Sequence, residues 1–257
     1  WLAAVPVLVV FAVVPFGGTI EPAKLFPALA DWFGDRTYPM QIASLDAGIL
    51  FVLAISVLGI LGTMLAGWSS NNKFSLLGAA RAASQMISYE IAMGLALVGM
   101  VVTYGTVDLA AMVAWQQRSL VGPLPAWGIF VQPLAFLLFL TCAIAENKRV
   151  PFDLPECESE LVSGYFTEYT SMKMGLFLLS EFIEIVVISA LLVTLFLGGY
   201  GLPGLTATSF LGFAIPPLAV AVLQVLAFSA KVFVVGCFQI QVRWTLPRFR
   251  YDQLMDL

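Results

Sequence analysis

Six long apolar runs fix what this chain can become: Leu2–Gly18, Asp46–Trp68, Ser84–Tyr104, Ala126–Ala145, Lys173–Gly198 and Phe213–Gly236. A helix rising about 1.5 Å per residue needs about 20 apolar residues to cross a hydrocarbon core of about 30 Å. The first run is the shortest, and its prolines, Pro6 and Pro15, sit near its ends, where a helix tolerates them. None of the runs alternates with the period of a half-buried strand. Backbone groups in lipid must be satisfied internally, so the predicted fold is all-α: a polytopic transmembrane helix bundle with six spans. The whole of 1–257 then forms one integral membrane domain. Composition agrees, with 60% hydrophobic and only 11% charged residues. Soluble domains carry about 25% charged residues.

Lys and Arg orient the bundle. With the C-terminal tail placed on the cytoplasmic side, inside regions hold Lys73, Arg81, Lys148, Arg149, Lys173, Lys231, Arg243, Arg248 and Arg250; outside regions hold Lys24, Arg36 and Arg118. Trp68, Tyr104, Trp127 and Tyr200 stand at run ends, as an aromatic belt would. The chain opens at Trp1 inside an apolar run and closes at Leu257 just after a polar stretch, which leads us to expect natural ends beyond both. No internal repeat is visible, which weighs against an inverted-repeat transporter.

Several chemistries are excluded. The chain has no histidine, so Ser–His–Asp and His–metal sites are ruled out. Cys142, Cys157 and Cys237 are far apart, without ligand spacing. There is no ligand set for an Fe–S cluster, flavin or haem. A net charge of −4 provides no basic face for nucleic acid.

Carboxylates are where the sequence is unusual. Between the fourth and fifth runs, the cytoplasm-side loop 146–172 carries Glu146, Asp153, Glu156, Glu158, Glu160 and Glu168, offset locally by Lys148 and Arg149. Such acids, drawn toward the membrane, titrate as a coupled set and so can relay protons or switch charge. The plain alternative is a solvated acidic loop, but Pro151, Phe152, Leu154 and Pro155 favour an ordered segment. Inside the runs lie Glu90, Glu181 and Glu184, the last two three residues apart on one helix face. A carboxylate inside a span costs several kcal/mol and usually faces a partner or a wet cavity; snorkelling from a span end is the competing reading. Asp46 opens the second run either as a functional acid or as an N-cap. Arg81 lies about two and a half turns before Glu90, too far for a direct pair on one helix. Gly59, Gly62, Gly94, Gly99 and Gly175 read as close helix packing. The tail Arg243-Trp-Thr-Leu-Pro-Arg-Phe-Arg250 reads as an interfacial anchor.

The run Glu146-Asn-Lys-Arg-Val-Pro-Phe-Asp-Leu-Pro-Glu-Cys-Glu-Ser-Glu-Leu-Val resembles the signature of the H-type membrane subunits of bacterial NADH:quinone oxidoreductase (respiratory complex I), a family whose mitochondrial counterpart is the first NADH dehydrogenase subunit. The resemblance continues through Gly164–Tyr169, Met172-Lys173 and Leu195–Tyr200. It also takes in Arg81–Glu90 upstream and Arg248–Met255 downstream, so it covers essentially the whole chain. It implies a subunit that joins a hydrophilic redox arm to the membrane arm, lines the quinone chamber and begins a chain of buried charges leading to proton pumps. The residues it carries over are Glu146, Asp153, Glu156, Glu158, Glu160, Glu168, Glu90, Glu181 and Arg81. Asp46 joins this candidate quinone-cavity and proton-coupling set on its place at the head of a span. The resemblance further implies quinone, such as ubiquinone, as substrate, with NAD, FMN and Fe–S clusters held by partner subunits, and other membrane-arm and redox-arm subunits as partners. The location it implies is the bacterial inner (cytoplasmic) membrane. Family helices, one of them an amphipathic surface helix, are expected before Trp1 and after Leu257. Phe166 stands where many relatives carry a polar residue, often His, and Cys157 replaces the usual small Ala. The nearer rival is the homologous subunit of a membrane-bound hydrogenase, formate hydrogenlyase or F420-type dehydrogenase; a secondary transporter or channel is the more distant one.

Overall fold

The computed structural model describes residues 1–21, 37–121, 124–153, 164–203, 209–210, 213–214 and 216–249. It is a bundle of helices: α1 Ala4–Val10 with a 3-10 turn at Phe11–Val13, α2 Gly48–Ser69, α3 Lys73–Tyr104, α4 Leu109–Gln116, α5 Gly128–Val131, α6 Pro133–Glu146, α7 Ser171–Phe196 and α8 Pro217–Thr245. Three two-stranded hairpins, Thr19–Ile20 with Tyr38–Pro39, Ser119–Val121 with Leu124–Pro125, and Ser209–Phe210 with Phe213–Ala214, lie in the connections. Among the described residues, α2, α3, α7 and α8 are long and apolar enough to cross a membrane; α1 with its turn and α6 are shorter apolar helices.

The helix ends depart from the apolar runs for identifiable reasons. α3 begins at Lys73, well before Ser84, because nothing in 73–83 breaks a helix and the Asn72 side chain accepts the Phe74 amide at 3.0 Å. It runs for 32 residues to a left-handed Gly105 (φ 70°), a length of about 48 Å that exceeds the hydrocarbon thickness. The fourth run is not one helix. Pro133 forces Gln132 out of helical geometry (φ −136°, ψ 72°), separating the four-residue α5 from α6. Gln132 then serves as a clamp, donating to the Gly99 carbonyl at 3.1 Å and to the Thr103 hydroxyl. In the first run the helix stops at Val13, ahead of Pro15. In the last, Phe213 lies in a hairpin and the helix starts at Pro217.

α3 lies between α2 and α6, α1 packs on α2 and α7, and α7 packs on α8. At the α2–α3 crossing a Cβ on Gly67 would meet the Ala79 methyl at 2.2 Å, so only glycine allows this approach. The core is built on Phe139, Met100, Leu192, Leu195 and Phe196. Buried Gln116 donates to the Thr194 carbonyl at 2.8 Å and accepts the amides of Gly128 and Gly198, tying α4, α5 and the end of α7 together. Beyond α7 the chain turns through Gly198 (φ 71°) and Gly199 (φ 52°). Lys231 of α8 donates to the carbonyls of Leu197, Gly199 and Gly201 at 2.7, 3.0 and 2.7 Å. That places a cation on the free carbonyls at a helix C-terminus, where the dipole favours it.

Candidate functional site

The segment leaving α6 is fixed from three sides. Gln85 of α3 donates to the carbonyls of Ala145 and Phe152, both at 2.8 Å. The Asn147 amide donates to Gln239 of α8 at 2.9 Å, and Gln239 in turn donates to Ser189 of α7 at 3.0 Å. Phe152 packs against Tyr89 and Phe249, and the Phe249 amide donates to the Pro151 carbonyl at 3.0 Å. Glu146, Asn147 and Lys148 are consequently buried, at 5%, 4% and 4% exposure.

Two polar groupings meet there. In the first, Arg149 pairs with Glu181, and the Tyr165 hydroxyl donates to the other carboxylate oxygen at 2.8 Å. Tyr165 is held by Phe166 and Phe177, with ring centroids 4.1 and 5.8 Å away. Arg149 also stacks over Phe182 at 5.5 Å. Phe166 is buried in this aromatic group, so the position is filled by packing. In the second grouping, Glu146, Lys148 and Glu184 share a narrow internal cavity of about 70 Å³ with Ser56. Ser56 donates to Glu90 at 2.5 Å, which brings in α2 and α3. Glu146 lies within electrostatic reach of Glu184, Glu90 and Lys148. A larger cavity of about 550 Å³ opens sideways between α7 and α8, walled by Phe182, Phe228, Phe233, Asn147, Arg149 and Arg243. Arg149 therefore belongs both to this apolar space and to the Glu181 pair.

Of the residues singled out from sequence, Glu146, Glu90 and Glu181 come together here, with Glu184. Asp153 is half-buried at the end of the fixed segment. Glu168 is exposed and accepts from Asn72 at 2.7 Å, beside the α2–α3 turn and apart from the cluster. Arg81 is half-buried on α3, about 14 Å along the helix from Glu90. Asp46 is exposed and does not cap α2, whose preceding residue is Ala47 with no side-chain bond to the helix. That reading of Asp46 as an N-cap is corrected, because the helix starts one residue too late for it. Glu156, Glu158, Glu160, Cys157 and Arg250 lie outside the described residues. Tyr165 and Ser56 are the site members that sequence reasoning missed. Their roles arise from tertiary approach over 16 and 34 residues of chain, and no local spacing signals them.

The family model for NADH dehydrogenase matches residues 1–257. The chain is 42% identical to an H-type subunit of the NADH-quinone oxidoreductase of Cytophaga hutchinsonii over 96% of its own length and 66% of that relative. It is 43% identical to the corresponding NADH-quinone oxidoreductase subunit of Flavobacterium psychrophilum, covering 97% of the chain and 67% of the relative. It is 44% identical to one from Geobacter metallireducens, covering 100% and 67%. The chain thus spans about two thirds of the length of these curated relatives. A helical membrane bundle carrying this buried charge cluster, matched along its whole length, belongs to the NADH dehydrogenase family.

Proposed function

We propose that this chain is the membrane subunit of a proton-pumping NADH:quinone oxidoreductase that walls part of the quinone chamber and passes the charge change of quinone reduction to buried carboxylates. The observation that carries the reading is the double position of Arg149, which lines the lateral 550 Å³ cavity and pairs with buried Glu181. An apolar, aromatic-walled space with polar groups at one end suits a molecule with an apolar tail and a polar head. In this scheme quinone arrives from the bilayer between α7 and α8 and is reduced near the loop side by an Fe–S cluster of a soluble partner subunit, which receives its electrons from NADH, oxidised to NAD in further subunits, by way of FMN. Negative charge on the reduced head group competes for Arg149. Glu181 then loses part of its countercharge, and its neighbours Glu184, Glu146 and Glu90 readjust together. Asp153, Glu156, Glu158, Glu160 and Glu168 extend the acidic set on the cytoplasmic side of the bacterial inner membrane, where the redox arm docks; Arg81 and Asp46 complete the candidate set.

The test is to place Asn or Gln at Asp153, Glu156, Glu158 and Glu160 singly and to measure quinone reduction and proton pumping by the intact complex in vesicles. At least one substitution is expected to depress pumping more than about tenfold, the scale of one buried countercharge. Full activity and full pumping in every variant would reduce the segment to a solvated loop and defeat the reading.

A further inference from the structure

Lys148 carries a charge that the scheme above leaves unused. It lies two residues beyond the last residue of α6 in a left-handed conformation (φ 54°), a rare one for a non-glycine residue. Its side chain is 4% exposed. Lysines almost never become so buried unless paired, yet among the described residues its ammonium meets no acceptor at hydrogen-bonding distance and no carboxylate at ion-pair distance. It lines the narrow cavity instead, together with Glu146, Glu184, Ser56 and Ser180. Beside it, Glu146 Oε2 is buried without a hydrogen-bond partner. The other charged groups nearby are already engaged, Glu181 with Arg149 and Tyr165, and Glu90 with Ser56. Three ionisable groups, one from each side of the α6 turn and one from α7, thus face one small space without touching. The cavity of about 70 Å³ is apolar over most of its length, along Val52, Leu97, Phe139 and Leu191, and polar where these groups meet, so it is at that end that water is held. Water is the species that can accept from an ammonium and donate to a carboxylate in the same place.

We infer that Lys148 is a positioning residue for the Glu146–Glu184 pair, acting on both carboxylates through water held at the polar end of the cavity that all three side chains line. Its cation makes the end of α6 and the second acid of α7 one electrostatic unit, so that a change of charge on either is felt by the other. The inference rests on the coupling role given above to the buried acids.

The experiment uses the intact complex carrying Lys148→Met, Lys148→Arg, or Lys148→Met with Glu184→Gln. Proton translocation per electron, quinone KM and the infrared carboxyl bands that appear on quinone reduction are measured for each. Lys148→Met is expected to lower translocation about tenfold, the lower bound for removing a countercharge from a buried carboxylate, with quinone KM within about twofold. It should also add or displace a carboxyl band. The double variant removes one charge of each sign and is expected to abolish the new band, while translocation stays impaired because Glu184 itself belongs to the coupled acids. Lys148→Arg keeps the cation and is expected to behave as the parent; it decides the matter if Lys148→Met fails to assemble on native gels. Unchanged translocation and spectrum in Lys148→Met, a new band that persists in the double variant, or a defective Lys148→Arg would each overturn the assignment. The carboxyl band separates this result from the wider scheme. If loop-acid substitutions leave pumping intact while the band still responds to Lys148, the coupling reading falls and the positioning role stands.

Discussion

Replacing Arg149 with Met isolates the pair on which the coupling scheme depends. The side chains of Arg149 and Glu181 are 14% and 2% exposed, so water screens the pair poorly and relieves the survivor little when one partner goes. Removing one member of a buried ion pair costs about 3–5 kcal/mol, because the other charge stays desolvated. The Tyr165 hydroxyl remains on the survivor. The expected destabilisation is therefore about 3–5 kcal/mol, enough to loosen the segment leaving α6. The assay is thermal inactivation of the purified complex, run beside proton pumping, for Arg149→Met, Glu181→Gln and the pair combined. The combined variant buries no lone charge, so it should recover most of the stability lost in Arg149→Met while pumping stays impaired. Stability and pumping recovering together would mean that the pair only holds the fold. Wild-type stability in Arg149→Met would refute the burial argument itself.

Two further outcomes are expected. Lys231→Met removes three bonds from a charged donor to the carbonyls closing α7; at about 1.5–3 kcal/mol for the strongest and less for the rest, the complex should lose about 3 kcal/mol of stability in thermal denaturation, and an unchanged midpoint would show that the bonds contribute nothing net. Reversing Arg248 and Arg250 to Glu should release the soluble redox arm on native gels before quinone affinity changes, since the tail and the segment after α6 meet through Phe249 and Pro151; intact assembly with normal activity would leave that face as a lipid anchor only.

How much of this was legible in the sequence depends on the range of the interactions involved. Apolar runs announce helices because lipid imposes one condition on the whole run, and the bundle follows from that. They announce helix ends poorly. Hydropathy marks what sits in lipid, whereas α3 continues eleven residues further, to Lys73, because Asn72 caps it and no residue between breaks it. The break at Gln132 was local and could have been read from Pro133, but the apolar character of 126–145 masked it. Within the site, Glu90, Glu181 and Glu184 stand out from sequence because a carboxylate in a span is expensive, and Glu146 because it opens the acidic loop. Their partners do not stand out. Tyr165 reaches Glu181 only because a 3-10 turn at Gly164–Phe166 packs against α2 and α3, and Ser56 is one hydroxyl among many until α2 crosses α3. Lys148 and Arg149, adjacent in sequence, part company for the same reason: the left-handed turn at Lys148 sends one toward the narrow cavity and the other toward the lateral one.

The depth of the acids along the bundle explains how it tolerates them. The Tyr104 hydroxyl donates to the Leu195 carbonyl at 2.9 Å, tying the end of α3 to the end of α7, and both helices run in the same direction. Glu90 precedes Tyr104 by fourteen residues (104 − 90) and Glu181 precedes Leu195 by fourteen (195 − 181). Both carboxylates therefore lie about 21 Å along their helices from that bond, at one level. If the bond marks one edge of a hydrocarbon core of about 30 Å, the level is about 9 Å from the other edge, on the side where the loop 146–172 begins. A carboxylate at mid-membrane would have to be neutral, and one among headgroups would be screened and deaf to its neighbours. At this level each acid is desolvated enough to feel a nearby charge, and each has a polar partner inside the bundle. The direct partners match the depth: a guanidinium and a phenol serve Glu181, a single hydroxyl serves Glu90. Among the described residues, Glu181 is therefore held by two polar partners from the α6 side of the bundle, and Glu90 by one hydroxyl of α2.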